Sequence, residues 1–431
     1  MNFASVYKGQ MGPCVSQRVK NCFSAFMALY PILCIYKAFY RFTIGDIILM
    51  LFFLISLKYP LKSDRRVSSV VLFSIYAIIM LCLNLLFSQL TATTYVASTL
   101  FFRIAKFIFY MLCVFMCGKQ FFDTKVFQKA IFIISIISCF FIAYQYIMYY
   151  GAGKIVLGRI PGLTLYLDEY SKIDYNLIYS YSFRPSSFFL EPALFCHYTI
   201  VSLILVLFID KMPTGFNRVF IAILVTAGIL MSTAGQGVLY LVIVYTIYGF
   251  KGIKSKAVAL CFIICAIAIA LVCYNKIEVV QYAVDRLLFN ENAFEARLGS
   301  YKYVFKLNGL HSIFGYGYGT TPNGEYLPGA AYVWYGCGII GLFLSFRVFG
   351  SFYHQTKSIT AKIICIMFFV MFFGTGLFYN YMLYWYFTLI LCTANLKGDF
   401  DDEHSLHSGS IQTKHVRQRH LLRQCHSAVS E

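Results

Sequence analysis

The chain alternates between long apolar runs and short polar connections. Most runs approach the roughly 20 residues that an α-helix needs to cross the hydrocarbon core of a bilayer. The pattern therefore predicts an all-α polytopic membrane protein with about 12 transmembrane helices. The predicted spans are 22–38, a second run ending at about Leu57, 68–89, 98–118, a fifth ending at about Tyr150, 193–209, 218–233, two runs on either side of KGIKSK that end by about Tyr274, 330–349, 361–378 and 381–395.

Lysine and arginine mark every second connection, beginning with the N-terminus. These connections are short, as in KYPLKSDRR before the third span and KGIKSK before the ninth. Because cytoplasmic loops carry the excess of Lys and Arg, this set is expected on the cytoplasmic side of the membrane, together with both termini. Two long outer loops, 151–191 and 275–329, are then expected on the opposite side. They hold half of the acidic residues of the chain.

This reading divides the chain into three parts. Residues 1–21 form a cytoplasmic N-terminus, and residues 22–395 form the membrane domain with its two outer loops. Residues 396–431 are polar and without a hydrophobic period, so a disordered cytoplasmic tail is expected there.

Composition narrows the class of protein. The chain is 60% hydrophobic and only 13% charged, which no soluble domain of 431 residues accommodates. Its net charge of +18 is spread in short pieces between apolar runs, so it indicates membrane topology and a lipid bilayer as partner, and no nucleic acid. None of the fifteen cysteines lies in the long loops, which excludes a disulfide framework or a thiolate metal site there.

The stretch SFRPSSFFLEPALFCHY, residues 182–198, is the first candidate for chemistry. It places Arg184 and the pair Glu191–Pro192 at the mouth of a predicted span. Arg184 is a candidate anion-binding residue, and Glu191 is a candidate base that accepts a proton. The alternative is that Pro192 only begins the helix while Glu191 favours the positive end of the helix dipole.

Further cations lie in the fourth span and in the second outer loop. Arg103 and Lys106 share one face of their helix, either as members of an anion-binding pocket or as long side chains that snorkel to the interface. The second loop brings Arg297 and Lys302 close together in sequence. It continues into IFGYGYG, whose residues Gly315, Tyr316 and Gly317 either contact a sugar ligand or only form a turn.

A resemblance to a known family rests on these stretches. RPSSFFLEPA at the start of a span, ARLGSYKY, IFGYGYG and GCGIIGLF resemble the O-antigen and capsular polysaccharide polymerases (Wzy), which are related to the O-antigen ligases. The resemblance covers essentially residues 20–395. The spacing from Arg297 to Gly315 fits the family pattern only loosely. LPGAAYVW lacks the histidine that ligases often place there, which favours a polymerase.

The resemblance implies a glycosyltransferase acting at the outer face of the bacterial inner (cytoplasmic) membrane, with both long loops in the periplasm. It would act in the synthesis of lipopolysaccharide, capsule or exopolysaccharide. Its substrate would be an undecaprenyl-diphosphate-linked oligosaccharide, and a chain-length regulator protein would be a further partner. A sugar hydroxyl attacks the anomeric carbon of the donor and polyprenyl diphosphate leaves. Arg184 and Arg297 would hold the anionic substrates, and Glu191 would take the hydroxyl proton.

Two other functions stay open at this point. One is an O-antigen ligase-type transferase, and the other is a flippase that transports the same lipid-linked units. No cofactor and no metal site is expected, because no outer loop carries a clustered DxD or a His/Asp set. The absence of an evident internal repeat disfavours the transporter.

Overall fold

A computed structural model describes residues 15–60, 64–86, 97–166, 183–250, 275, 299–322 and 326–394. Three sequence predictions fall outside these residues: the ninth span, the candidate Arg297 and the polar tail. Arg184, Glu191 and the other candidate residues lie within them.

The described chain is mostly helical. Its helices are α1 (Gln17–Leu33), α2 (Ile44–Ser56), α3 (Arg66–Leu86), α4 (Ala97–Cys113), α5 (Thr124–Ala152), α6 (Pro192–Phe208), α7 (Arg218–Met231), α8 (Gly235–Phe250), α9 (Tyr301–Phe305), α10 (Leu310–Phe314), α11 (Gly329–His354), α12 (Ile359–Gly374) and α13 (Met382–Cys392). A π-helical stretch, Val114–Gly118, and the turn Lys119–Phe121 prolong α4.

Four of the described helices are long and apolar enough to cross a bilayer. They are Arg66–Leu86, Ser98–Phe121, Thr124–Ala152 and Gly329–His354. Several shorter apolar helices accompany them, including α6 and α12. The apolar helices indicate a membrane-embedded protein, whereas the count of 12 spans and the extent of the two long loops remain predictions.

The first predicted span, 22–38, differs from the helix that the structure shows. Helix α1 ends at Leu33, and a short antiparallel hairpin follows, with strands β1 (Lys37–Phe39) and β2 (Phe42–Thr43). The segment KAFYRF is rich in aromatic residues, which favour strands over helices. Hydrophobicity alone does not distinguish so short an apolar strand from the end of a helix.

A piece of the first long loop joins this hairpin. The Lys37 N–H donates to the Thr164 carbonyl at 2.9 Å, and the Tyr166 N–H donates to the Ile35 carbonyl at 2.8 Å. These backbone bonds fix the segment ending at Tyr166 beside the hairpin, so the loop runs along the edge of the helices there.

Aromatic side chains connect α1, α6 and α13 at the centre of the bundle. The Trp385 indole on α13 donates to the Met27 carbonyl of α1 at 2.8 Å and stacks on Tyr198 of α6, with ring centroids 5.3 Å apart. The Tyr198 hydroxyl in turn donates to the Ala28 carbonyl at 2.9 Å. Each ring combines a large buried area with a satisfied polar tip, so α1, α6 and α13 are held in fixed register.

Contacts at one end of the helices join connections that the charge pattern assigns to the cytoplasm. Arg66 Nη2 donates to the Gln355 carbonyl at 3.1 Å, and the Lys119 ammonium lies 2.7 Å from the Asp64 carboxylate. The three connections that carry these residues therefore lie together. Which end faces the cytoplasm stays a prediction.

Cysteine labelling tests that orientation. Lys154 and Lys58 are both exposed, but they follow the ends of α5 and α2 at opposite ends of the bundle. A membrane-impermeant maleimide should label Lys154→Cys in cells with a permeabilised outer membrane, and should label Lys58→Cys only after the inner membrane is opened. The unsubstituted chain gives the background from native cysteines. Labelling of Lys58→Cys alone in intact inner membranes would reverse the orientation.

Candidate active site

A cavity of about 760 Å³ opens at the end of the bundle opposite Asp64. It lies among the hairpin, α4, α6, α8, α11 and the turn between α12 and α13. The polar side chains that line it are those of Arg41, Thr43, Thr99, Arg103, Lys106, Tyr110, Tyr166, Glu191, His197, Gln236, Tyr318, Tyr326, Tyr332, Thr375, Asn380 and Tyr381. Every connection that contributes to this lining belongs to the set predicted to lie on the outer side.

The cavity lies where helices begin. Residues of the first turns of α4, α6, α8 and α13 line it, namely Thr99, Ala193, Gln236 and Leu383. The N-terminus of an α-helix carries a partial positive charge and unsatisfied backbone N–H groups. Several such ends directed at one cavity give it a positive potential, to which the basic side chains add.

Glu191 is positioned by the turn that precedes α6. The Phe189 N–H donates to the Ser186 carbonyl at 3.0 Å, and the Ser187 N–H donates to Gln145 Oε1 on α5 at 3.0 Å. Glu191 is the N-cap residue with extended backbone, but its side chain makes no capping hydrogen bond. The carboxylate lines the cavity, so the helix start places it there without using it as a cap.

Arg103 and Lys106 reach the same cavity from α4. The Arg103 guanidinium donates to the carbonyl of Gly319, and the Lys106 ammonium forms an ion pair with Asp46 at 2.9 Å. Lys106 is therefore directed into the protein, and the snorkelling alternative does not describe its position. The structure thus brings Glu191, Arg103 and Lys106 together around one volume.

Asp46 lies beneath the cavity and is only 1% exposed. Its carboxylate accepts from the Lys106 ammonium, from the Tyr110 hydroxyl at 2.7 Å and from the Thr43 N–H at 3.1 Å. Thr43 and Asp46 form a reciprocal capping box that begins α2. This network ties the hairpin and α2 to the face of α4 that carries the two cations.

Arg184 and Lys302 are not among the residues that line the cavity. Arg184 follows Phe183, whose ring stacks on Tyr149 of α5 at 4.2 Å, and it is not among the described residues that line the cavity. Lys302 lies on α9, with its ammonium 5.4 Å from the centre of the Tyr303 ring, and is also outside the lining. Both cations are therefore outside the lining to which Glu191 belongs.

The segment 315–317, here called the glycine strap, packs against α11. The N–H groups of Tyr316 and Gly317 donate to the carbonyls of Tyr335 and Gly336 at 3.0 and 2.7 Å. Gly315 has φ 74°, and a Cβ atom there would overlap the backbone of α11. These residues serve close backbone packing and are outside the cavity lining that the structure describes.

The strap nevertheless reaches the cavity through its next residues. Tyr318 lines the cavity, and the Gly319 carbonyl accepts the hydrogen bond from Arg103. Burial raises the pKa of the Tyr318 hydroxyl, so it stays protonated at neutral pH and cannot act as the base. Within the described lining, Glu191 is the one carboxylate that can accept a proton.

Sequence reasoning missed several lining residues. Arg41 and Gln236 lie in short connections that carry no recognisable motif. Four tyrosines, Tyr166, Tyr326, Tyr332 and Tyr381, supply aromatic surface suited to sugar rings. One usable signal was present: each of these residues lies in a connection assigned to the outer side, except Tyr332 and Tyr381, which lie at the starts of predicted spans.

The Asp46–Lys106 pair makes a testable contribution to stability. Lys106→Met leaves a buried carboxylate without its cation, which typically costs about 3–5 kcal/mol. We expect a markedly lower melting temperature in detergent, largely restored in the double variant Asp46→Asn/Lys106→Met. Lys154→Met, which removes an exposed charge, is the control. Equal melting of Lys106→Met and Lys154→Met would show that the pair contributes nothing.

Substitution of Gly315 tests the packing of the glycine strap against α11. Gly315→Ala combines a left-handed backbone with a collision against α11, so we expect a loss of about 2 kcal/mol or more in stability. Gly350→Ala, on the same helix α11, meets open space and should be neutral or slightly stabilising. Thermal unfolding of both variants in detergent measures the difference. Unfolding of Gly315→Ala at the wild-type temperature would contradict the proposed packing.

The site that emerges is a cavity with one carboxylate, three basic side chains and several tyrosines. Among the described residues, no three His, Cys, Asp or Glu side chains cluster as metal ligands. The arrangement can accept a proton and hold an anion in the same volume. No protein-family model and no curated protein matches the chain.

Proposed function

We propose that the protein is a glycosyltransferase that polymerises oligosaccharide units linked to a polyprenyl diphosphate. The observation that carries the proposal is the position of Glu191 in one cavity with Arg103, Lys106 and Arg41. A transfer from a lipid diphosphate needs a base for the attacking hydroxyl and positive charge for the departing anion. These are the two functions that the cavity combines.

Glu191 and the basic groups of the cavity have separate roles in the proposed reaction. The Glu191 carboxylate takes the proton of an acceptor hydroxyl as its oxygen forms a bond to the anomeric carbon of the donor sugar. The bond between that carbon and the diphosphate oxygen breaks, and its electron pair leaves with the diphosphate. Arg103, the other basic groups and the helix N-termini stabilise the charge that develops on this leaving group.

The size and lining of the cavity support a carbohydrate substrate. About 760 Å³ lies within the range of small-molecule sites, and aromatic surface interspersed with hydroxyl and amide groups suits sugar rings. A lipid-linked substrate also needs a site that is accessible from the bilayer surface. The cavity opens at one end of the apolar helices, where such a substrate would present its sugars.

The two alternatives differ from this proposal in measurable products. A ligase would use the same donor but would transfer it to a different acceptor, so it would not lengthen the repeat-unit chain. A flippase would move the lipid-linked unit without forming a glycosidic bond. We infer that the carboxylate of Glu191 is required for bond formation, which distinguishes the polymerase and the ligase from the flippase.

Substitution of Glu191 tests the role of the base. Glu191→Gln keeps the shape and the helix start but cannot take a proton, so polymer synthesis should fall by about two to four orders of magnitude. Glu191→Asp should retain partial activity with an altered pH dependence. The measurement is the chain-length ladder on a gel from cells that depend on this protein, normalised to its amount in the membrane.

The control is Asp210→Asn, which changes a carboxylate at the opposite end of the bundle. It should leave the ladder unchanged. A normal ladder from Glu191→Gln would assign Glu191 to the helix start alone and would remove the proposed base.

A further inference from the structure

Arg41 occupies a distinctive position among the cations of the cavity. It follows Tyr40 in the tight turn between β1 and β2, and its guanidinium lines the cavity. Arg41 Nη2 donates to the Thr99 hydroxyl at 2.9 Å, and the guanidinium carbon lies 5.7 Å from the centre of the Phe102 ring. Arg41 has no carboxylate partner among the described residues.

The neutral surroundings of Arg41 contrast with those of Lys106. The charge of Lys106 is balanced by the buried Asp46, whereas the charge of Arg41 faces a hydroxyl and aromatic rings. A guanidinium has five N–H donors, and the bond to Thr99 uses one of them. The remaining donors and the uncompensated charge suit a phosphate group, which a guanidinium binds in bidentate fashion.

The hairpin also places Arg41 beside surface that is suited to the membrane interface. Phe39 is 57% exposed and Tyr40 is 71% exposed, and Tyr40 adopts a left-handed backbone with φ 46°. Exposed aromatic residues are enriched where the hydrocarbon core meets the headgroups. Arg41 therefore lies between an interfacial aromatic tip and the interior of the cavity.

The chemistry of the proposed donor fits this position. A prenyl chain stays in the hydrocarbon core, so the diphosphate attached to it is held at the level of the headgroups. Arg41 contacts α4 at Thr99, and Arg103 follows four residues later, about 6 Å along the helix axis. The two guanidinium groups are thus arranged in sequence along one face of α4, from the hairpin into the cavity.

Resting on the proposed function, we propose that Arg41 binds the diphosphate of the prenyl-linked donor where the donor enters the cavity beside the β1–β2 hairpin. The ligand class is a prenyl diphosphate, recognised through its phosphate oxygens by Arg41 and passed toward Arg103. Arg41 is then a substrate-binding residue that sequence reasoning did not single out, and the hairpin is the edge at which the lipid enters.

Binding of farnesyl diphosphate to the purified protein in detergent tests this assignment without requiring turnover. The variants are Arg41→Gln, which can still contact Thr99, and Arg41→Lys. Both should bind farnesyl diphosphate about 10- to 100-fold more weakly than the wild type, because the bidentate contacts are lost. Lys37→Ala removes one charge from the same hairpin outside the cavity lining, and it should stay within about twofold of the wild type.

Three comparison ligands distinguish a prenyl diphosphate from its prenyl chain alone, from free diphosphate and from a lipid headgroup. Farnesol should bind wild type and Arg41→Gln equally, and inorganic diphosphate should bind more weakly than farnesyl diphosphate yet show the same dependence on Arg41. Phosphatidylglycerol in mixed micelles should bind both proteins equally. If Arg41→Gln weakened the binding of phosphatidylglycerol as much as that of farnesyl diphosphate, Arg41 would bind lipid headgroups in general. That result would overturn the proposal.

Other outcomes are equally decisive. Wild-type affinity in Arg41→Gln, an equal loss in Lys37→Ala, or no binding of farnesyl diphosphate to the wild type would each overturn the role of Arg41. Melting temperatures of the variants close to the wild-type value exclude misfolding as the cause of a loss. A loss of binding in Arg41→Gln combined with normal polymer from Glu191→Gln would support the diphosphate site while removing the proposed base.

Discussion

The buried carboxylate of Asp46 is the constraint on which the cavity depends. A charge in an apolar bundle must be paired and hydrogen-bonded, because its desolvation is otherwise too costly. Asp46 meets this requirement with Lys106, Tyr110 and the Thr43 backbone, and so joins the hairpin, α2 and α4. The same contacts determine which face of α4 is directed inward. The positions of Arg103 and Arg41 follow from that orientation.

Backbone conformation shapes the remainder of the cavity. Three residues other than glycine adopt a left-handed backbone in the described part of the chain: Tyr40, Ser187 and Thr233. Each precedes a polar lining residue by one to four positions, namely Arg41, Glu191 and Gln236. Such conformations are costly and persist where the surrounding structure enforces them, frequently near functional sites. The turns that carry the candidate chemistry are therefore also the locally strained ones.

Local patterns in the sequence predicted much of this organisation, but contacts between distant segments escaped them. Apolar runs and Pro192 located α6 and the position of Glu191, and the spacing of Arg103 and Lys106 placed both on one helix face. The ion pair of Lys106 with Asp46 joins residues 60 positions apart, which no local pattern encodes. The hairpin that carries Arg41 is too short to show a strand period. IFGYGYG indicated a turn, but its Gly315 packs on α11, a partner that only the fold reveals.

We propose that the protein transfers sugar from a lipid diphosphate with a carboxylate and cations that share one cavity, and without an external energy source. The most direct measurement uses purified protein in detergent, supplied with prenyl-diphosphate-linked repeat units in the absence of any membrane gradient. We expect the chains to lengthen, and we expect one prenyl diphosphate to be released for each glycosidic bond that forms. Unchanged repeat units in detergent, together with their translocation across the bilayer of proteoliposomes, would contradict this proposal.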